Sequence, residues 1–509
     1  MKLIFLVLLV FFALSACGRS VGDSNHETLC SSDEYAVLYG SSYNSSTPYS
    51  HDIHGYPQDD TALYHSSSPY TSNAVLPGEA EGDISAEDTY PPPIRQIPTE
   101  PDYIPLIPRW TEGEAFQLEH FLCDFDYLMH TLRINFPLFG PAYRRLGIDI
   151  DVLEQQTREA IVRTGTTTPG AFSQTLAGNF FRPFGGFGHL YQHWERRIHL
   201  VLANIYRDSI DEYGNFTSLY SQRIYEVLRA PEALRFYGYI PVNLGEYENF
   251  RIIPGNVTTE ILIEGHVAYM NIRQFNHYNI DHDREIIFAF YEEIAEFGHL
   301  IIDLRQNPGG FAHYFTQLII EPNLTTTLHG RTYEFFPAGR NNLIYADALI
   351  ADMLAADPNG LTLVYNAADF VANNNMRYFN QDDLALLHNV VVWHTQIDPV
   401  VYEKAFDGKI WILIGPGSMS GAEIVAIFLR DTGFATMVGQ PTAGIMGAIS
   451  SYVLLPNSGI VVRYDMGYIT DSYGRSFEEF GVSPHYYNRP GMDALETTLA
   501  IIEEMTYIN

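Results

Sequence analysis

Ser420 stands in the run Gly415-Pro416-Gly417-Ser418-Met419-Ser420-Gly421-Ala422-Glu423-Ile424, where a glycine-rich turn leads into a helix that begins near the serine. A serine in that place lies at the positive end of the helix dipole, which stabilises negative charge developing on its oxygen or on an oxyanion beside it. The same residue would also serve as a simple N-cap. A second run, Ile302-Asp303-Leu304-Arg305-Gln306-Asn307-Pro308-Gly309-Gly310, carries paired glycines whose backbone can present free N–H groups close to a ligand atom, and it reads equally as an ordinary turn. Both runs follow short apolar stretches that read as buried strands, and in open α/β sheets ligands bind beyond the carboxyl ends of the strands. A hydroxyl at a helix start and N–H donors on a neighbouring loop are the parts that nucleophilic acyl transfer needs.

The elements that must position these loops are legible as periodicity. From Trp110 to about Arg251 the pattern is helical, with Phe116, Leu118, Phe121, Leu122, Phe125 and Leu128 on one face and similar patterns at Val152–Val162 and Trp194–Tyr206. Around Thr259 the period changes. Ile261–Glu264, Val267–Ile272, Leu300–Leu304, Ile410–Ile414, Ala435–Val438 and Gly459–Val462 read as strands. Amphipathic helices are expected between them near Arg284–Phe297, Phe315–Ile320, Ala346–Ala355, Ala422–Leu429 and Met492–Met505. Such alternation predicts an α/β layer with a mainly parallel sheet, preceded by an all-helical N-terminal domain.

The chain has 509 residues and a net charge of -32, so no basic patch is at hand for a phosphate backbone, and nucleic acid is excluded as a partner. Its only lysines are Lys2, Lys404 and Lys409. The start, Met1-Lys2 followed by an apolar run from Leu3 to Leu14, reads as a secretory signal too short to span a bilayer. The box Leu14-Ser15-Ala16-Cys17 resembles a bacterial lipoprotein signal, which implies cleavage before Cys17, lipid on its sulfur and an extracytoplasmic place in the cell envelope. From Gly18 to about Pro108 the sequence is rich in Ser, Tyr, Pro and acids, and reads as a disordered tether. Cys30 and Cys123 do not form a disulfide framework.

The string Asp303–Gly310, then Ser420-Gly421-Ala422-Glu423-Ile424, then Val438-Gly439-Gln440-Pro441-Thr442-Ala443-Gly444, in that order, resembles the carboxyl-terminal processing (tail-specific) serine proteases from Trp110 to the C-terminus. The resemblance implies a catalytic core of the crotonase/ClpP type, Ser420 rather than Ser418 as nucleophile, and an oxyanion hole from the N–H of Gly421 with that of Gly309 or Gly310. Many members pair the serine with a lysine about 25 residues on, a place held here by Ile445. Lys409, at the start of its strand, sits about 16 Å from the strand's far end at ~3.3 Å per residue, and Lys404 is further upstream.

Without the lysine, the base must lie elsewhere or the activity is lost. Gly185-Gly186-Phe187-Gly188-His189 resembles the place where tricorn-core-like members carry a catalytic His, and Phe477-Glu478-Glu479-Phe480-Gly481-Val482-Ser483-Pro484 is similar to the stretch that supplies their Glu. The resemblance therefore implies His189 as general base with Glu478 acting on it, His313 and Glu479 being the alternatives. His485 departs from the family, where Asp usually follows the proline. The interval from His189 to Thr259 is too short for a PDZ domain. Asn276–Asp283 reads as a polar loop, and neither metal nor organic cofactor is required.

The expected division is a signal peptide over 1–16, a tether over 17–108, a helical domain over 109–255 and the α/β catalytic domain over 256–509. The function implied is a lipid-anchored serine endopeptidase acting on proteins or peptides outside the cytoplasm. Its rival is a lipoprotein that keeps the fold, has lost the reaction, and binds peptides or another ligand.

Overall fold

The computed structural model describes residues 109–193, 199, 216–238, 252–364, 366–401, 403–447 and 449–508. The signal run, Cys17 and the polar segment up to residue 108 lie outside the described residues, as does part of the interval judged too short for a PDZ domain.

The first described part is helical, with α1 (Leu118–Asn135), α2 (Phe139–Leu146), α3 (Ile150–Thr164) and α4 (Pro169–Leu176). Phe121, Phe125, Leu128 and Leu132 recur at helical spacing on α1 and are fully buried. Their rings meet aromatic partners, Phe121 with Phe172 at 5.1 Å and Phe125 with Phe180 at 5.9 Å. Asp149 caps α3 by accepting the N–H groups of Asp151 and Val152, and Gly165 closes it in a left-handed turn. Two further helices, α5 (Leu219–Leu228) and α6 (Pro231–Tyr237), follow in the described residues. Asp124 of α1 reaches into the second half of the chain, where it accepts the N–H groups of Asn457 and Ser458.

The second part is built on a six-stranded sheet, ordered β13-β9-β8-β4-β3-β2. Its strands are β2 (Val257–Ile263), β3 (Val267–Ile272), β4 (His299–Asp303), β8 (Lys409–Ile414), β9 (Thr436–Gly439) and β13 (Tyr486–Tyr487). All neighbours pair in parallel except β2 with β3, so the mainly parallel sheet expected from sequence is present. Alternate residues of β4 enter two cores. Leu300 and Ile302 join the cluster that contains α7 (Ile280–Glu293) and α9 (Gly421–Thr432), while Ile301 joins Trp411 and Leu413 against α11 (Ala494–Ile508). Register places Asp303 opposite Leu413, so the two glycine-rich loops leave the sheet side by side.

Two smaller antiparallel sheets complete the fold and were not foreseen. One is ordered β12-β5-β7-β6, from β5 (Leu328–Phe336), β6 (Leu361–Val364), β7 (Asn389–Ile397) and β12 (Tyr468–Thr470). The other is ordered β1-β11-β10, from β1 (Tyr191–Gln192), β10 (Ser450–Leu454) and β11 (Val461–Asp465). The first half of β5, Leu328-His329-Gly330-Arg331, is too polar to announce a strand, and it exists because nine residues pair with β7. The helix α8 (Arg340–Ala356) lies between β5 and β6 in the chain.

Candidate active site

Ser420 immediately precedes α9 and has φ 54° and ψ -117°, one of three non-glycine residues with positive φ among those described. The other two are His189 and Asn375. Such a backbone costs about 1–3 kcal/mol and persists only where the surroundings hold it. Here the Ser420 N–H donates to Ile445 O at 2.8 Å and to Glu423 Oε2 at 3.1 Å. The serine side chain does not cap the helix, and its Oγ is buried without a hydrogen-bond partner. Ser418 is different, because its Oγ donates to Leu304 O at 2.7 Å and accepts the Gly415 N–H, which pins the two glycine loops together. Of the two serines, Ser420 is the one with an uncommitted hydroxyl.

Glu423, fully buried on the first turn of α9, organises the loop that faces the serine. Its carboxylate accepts Thr442 Oγ1 at 2.5 Å, Gly444 N–H at 2.6 Å and Ile445 N–H at 2.8 Å, besides Ser420 N–H. Burial raises its pKa, and these donors pull the other way. Ile445, where the resemblance noted from sequence expects a lysine, thus lies beside Ser420 in space and contacts it through the backbone.

Three glycines close in on the serine. A Cβ at Gly309 would lie 2.6 Å from the nitrogen of Gly421, and one at Gly421 would lie 2.3 Å from the oxygen of Gly310. Gly309 spends its N–H on Asn307 Oδ1 at 2.8 Å, and Asn307 in turn donates to Ile272 O. The N–H groups of Gly310 and Gly421 have no acceptor among the described residues. Between the two donors left open by the sequence, Gly310 is the one with a free N–H.

His189 ends a tight turn whose Gly188 has φ 59° and packs so closely that a Cβ would lie 2.8 Å from Phe136 and Leu138. The short β1 that follows pairs antiparallel with β11, setting Tyr191 opposite Arg463. This pairing brings the His189 ring to the end of β11, where Nδ1 lies 2.6 Å from Asp465 Oδ2. Asp465 Oδ1 accepts Ser450 Oγ at 2.9 Å, and the Arg463 guanidinium is 3.8 Å away. Burial alone would raise the Asp465 carboxyl, but His189, Arg463 and Ser450 outweigh it and hold it below its ordinary value. An ionised Asp465 fixes the proton on Nδ1 and leaves Nε2 with its lone pair. Sequence reasoning missed Asp465, although an acid ending an apolar strand was a visible signal.

Glu478, on the single-turn α10 (Phe477–Phe480), is therefore not the carboxylate that holds His189. It is fully buried and accepts Ser476 Oγ at 3.3 Å. Burial pushes it well above the usual carboxylate range, and the nearby charges of Asp465 and Glu423 push the same way. Glu478 thus sits within electrostatic reach of both Asp465 and Glu423. Glu479 instead pairs with Arg144 at 2.8 Å. His313 Nε2 is hydrogen-bonded to His277 Nδ1 at 2.9 Å, and burial, with that neighbour, lowers its pKa to about 4. His485, where the resemblance noted from sequence expects Asp, accepts the Met437 N–H of β9 on Nδ1. Lys409 lays its ammonium over the Trp411 ring at 4.1 Å, and Lys404 is exposed.

Asn276–Asp283, read from sequence as a polar loop, is a turn leading into α7, and Asp283 is buried under hydrogen bonds from Asn256 and Tyr314. Among the described residues no group of three or more His, Cys, Asp and Glu side chains is arranged to hold a metal ion.

Residues 266–488 match Peptidase family S41. Among solved structures, mature CPAF shares 15% identity, with 76% of this chain and 96% of that one covered and a TM-score of 0.43. The photosystem II D1 C-terminal processing protease shares 13%, covering 47% and 50% with a TM-score of 0.29. A lipoprotein from Streptococcus agalactiae shares 11%, covering 78% and 99% with a TM-score of 0.35. No curated protein matches the sequence.

Proposed function

We propose, from the match of residues 266–488 to Peptidase family S41, that the chain is a serine endopeptidase of the carboxyl-terminal processing type whose base is a histidine held by Asp465. Ser420 attacks the scissile carbonyl while His189 takes its proton through Nε2. The N–H groups of Gly310 and Gly421 hold the oxyanion of the tetrahedral intermediate. His189 then returns the proton to the leaving amine, and water activated by the same imidazole hydrolyses the acyl-enzyme. Glu478, buried and pushed toward its neutral form, adds no second negative charge beside the ionised Asp465. Lipid on Cys17 would place the enzyme on a membrane outside the cytoplasm, where its substrates would be proteins or peptides.

The observation that carries this reading is the buried His189–Asp465 hydrogen bond, made across 276 residues, beside which stands the separate finding that the Ser420 hydroxyl is uncommitted. A fluorophosphonate probe tests it. Wild type should label, Ser420→Ala should not, and His189→Ala should label slower by about 10²–10⁴. Wild type that folds but neither labels between about pH 6 and 9 nor cleaves an unfolded protein would point to the peptide-binding lipoprotein instead.

A further inference from the structure

We infer that Arg145, on α2 of the helical part, is a positioning residue that sets the backbone around Ser420 through the loop of residues 442–445. The inference deepens the hydrolytic reading above, and its kinetic consequences rest on that reading. The guanidinium makes two contacts that belong to the site's frame. Nη1 donates to the carbonyl of Glu478 at 2.5 Å, and Nη2 donates to the carbonyl of Ala443. No carboxylate pairs with Arg145 among the described residues, so its partners are two backbone oxygens of fixed direction. A planar fork of donors on two carbonyls fixes geometry in a way that a point charge does not.

The loop it holds is gripped from the other side by Glu423, which takes the Thr442 hydroxyl and the Gly444 and Ile445 N–H groups. The next carbonyl along, Ile445 O, receives the Ser420 N–H at 2.8 Å. Displacing Ala443 therefore moves Gly444 and Ile445, and with them the contact that holds Ser420 in its positive-φ conformation. The approach is close. A Cβ at Gly444 would fall 1.8 Å from Arg145 Nη1, so the glycine admits the guanidinium to the loop surface. Arg144 steadies the same helix by pairing with Asp383 at 2.5 Å and with Glu479 at 2.8 Å. Docking of α2 is thereby coupled to the shape of the nucleophile turn.

The test uses the full chain with Arg145→Ala and Arg145→Lys, the latter keeping charge and one donor. Amide exchange is followed by mass spectrometry, and labelling is followed with a small fluorophosphonate. In Arg145→Ala, exchange should speed in the peptides covering 420–423 and 442–446 and remain at wild-type rates in β3, β4 and β8. Labelling should slow by roughly 10- to 100-fold, as a misplaced reacting group does, with peptide KM unchanged. Low millimolar guanidinium should restore part of the rate, and Arg145→Lys should show a smaller loss in the same order. Unchanged exchange in those two segments would overturn the inference, as would a uniform loss of protection without guanidinium rescue, which marks a merely structural arginine. If wild type itself resists the probe, hydrolysis fails as a reading while the exchange result still decides the role of Arg145.

Discussion

His189 Nδ1 and Asp465 Oδ2 stand 2.6 Å apart in a buried contact, and the two residues come from opposite ends of the described chain. Replacing Asp465 by Asn keeps the shape but removes the charge that fixes the imidazole tautomer. Asp465→Asn should therefore lower kcat by about 10²–10⁴, with a far smaller change in KM. A rate within about threefold of wild type would remove Asp465 from the mechanism.

The burial of Glu478 has a stability signature. Its folded pKa is raised, so the folded state keeps a proton that the unfolded chain releases above the ordinary value of 4.5. Wild-type stability should therefore fall as pH rises through that value, by up to about 1.4 kcal/mol per pH unit from this group. Glu478→Gln lacks the proton exchange and keeps an acceptor for Ser476. The urea midpoint of the variant should thus rise relative to wild type between pH 5 and 8. A constant difference across that range would mean that Glu478 ionises normally.

Backbone strain at Ser420 predicts a trade between stability and function. Ser420→Gly removes the nucleophile and relieves the positive-φ conformation. After allowing for the extra unfolded-state freedom of glycine, it should stabilise the protein by about 1 kcal/mol. Denaturant unfolding of Ser420→Gly beside Ser420→Ala measures this, and the alanine variant should show no such gain.

Trp110 is tied to the body of the protein near the start of the described residues. Its ring stacks on Phe116 at 4.8 Å and carries Arg235 at 4.3 Å, and its backbone N–H donates to Asn457. Brief proteolysis should trim the polar segment and stop just before Trp110, as N-terminal sequencing of the fragment would show. Protection extending well upstream would show that this segment packs on the enzyme.

Metabolic labelling with a fatty acid should tag the protein through Cys17, and Cys17→Ser should abolish the tag. Labelling that survives the substitution would exclude this anchor.

The candidate site residues were legible where the signal is local. Ser420 and the paired glycines sit in short runs whose strand–turn–helix context is written in neighbouring residues, and the parallel sheet that aligns them follows from buried apolar strands. Asp465 was hidden because the two-residue β1 finds its partner 272 residues away, and so short a strand has no periodicity to read. Glu478 was assigned by position in a motif, and burial rather than sequence decides that it stands apart from the imidazole. The choice between Gly309 and Gly310 turned on one side chain, Asn307, which occupies the first N–H and leaves the second.

The span between His189 and Asp465 also governs when the enzyme can exist during its own synthesis. The helical part and the first strands leave the ribosome long before β11, and a chain stopped anywhere short of residue 465 holds the imidazole without its carboxylate. At ~5–20 residues per second, the intervening stretch takes roughly 15–55 seconds to make. Through that interval the nascent polypeptide carries an incomplete His–Asp pair, so on the proposed reading a chain cannot act before residue 465 has been made.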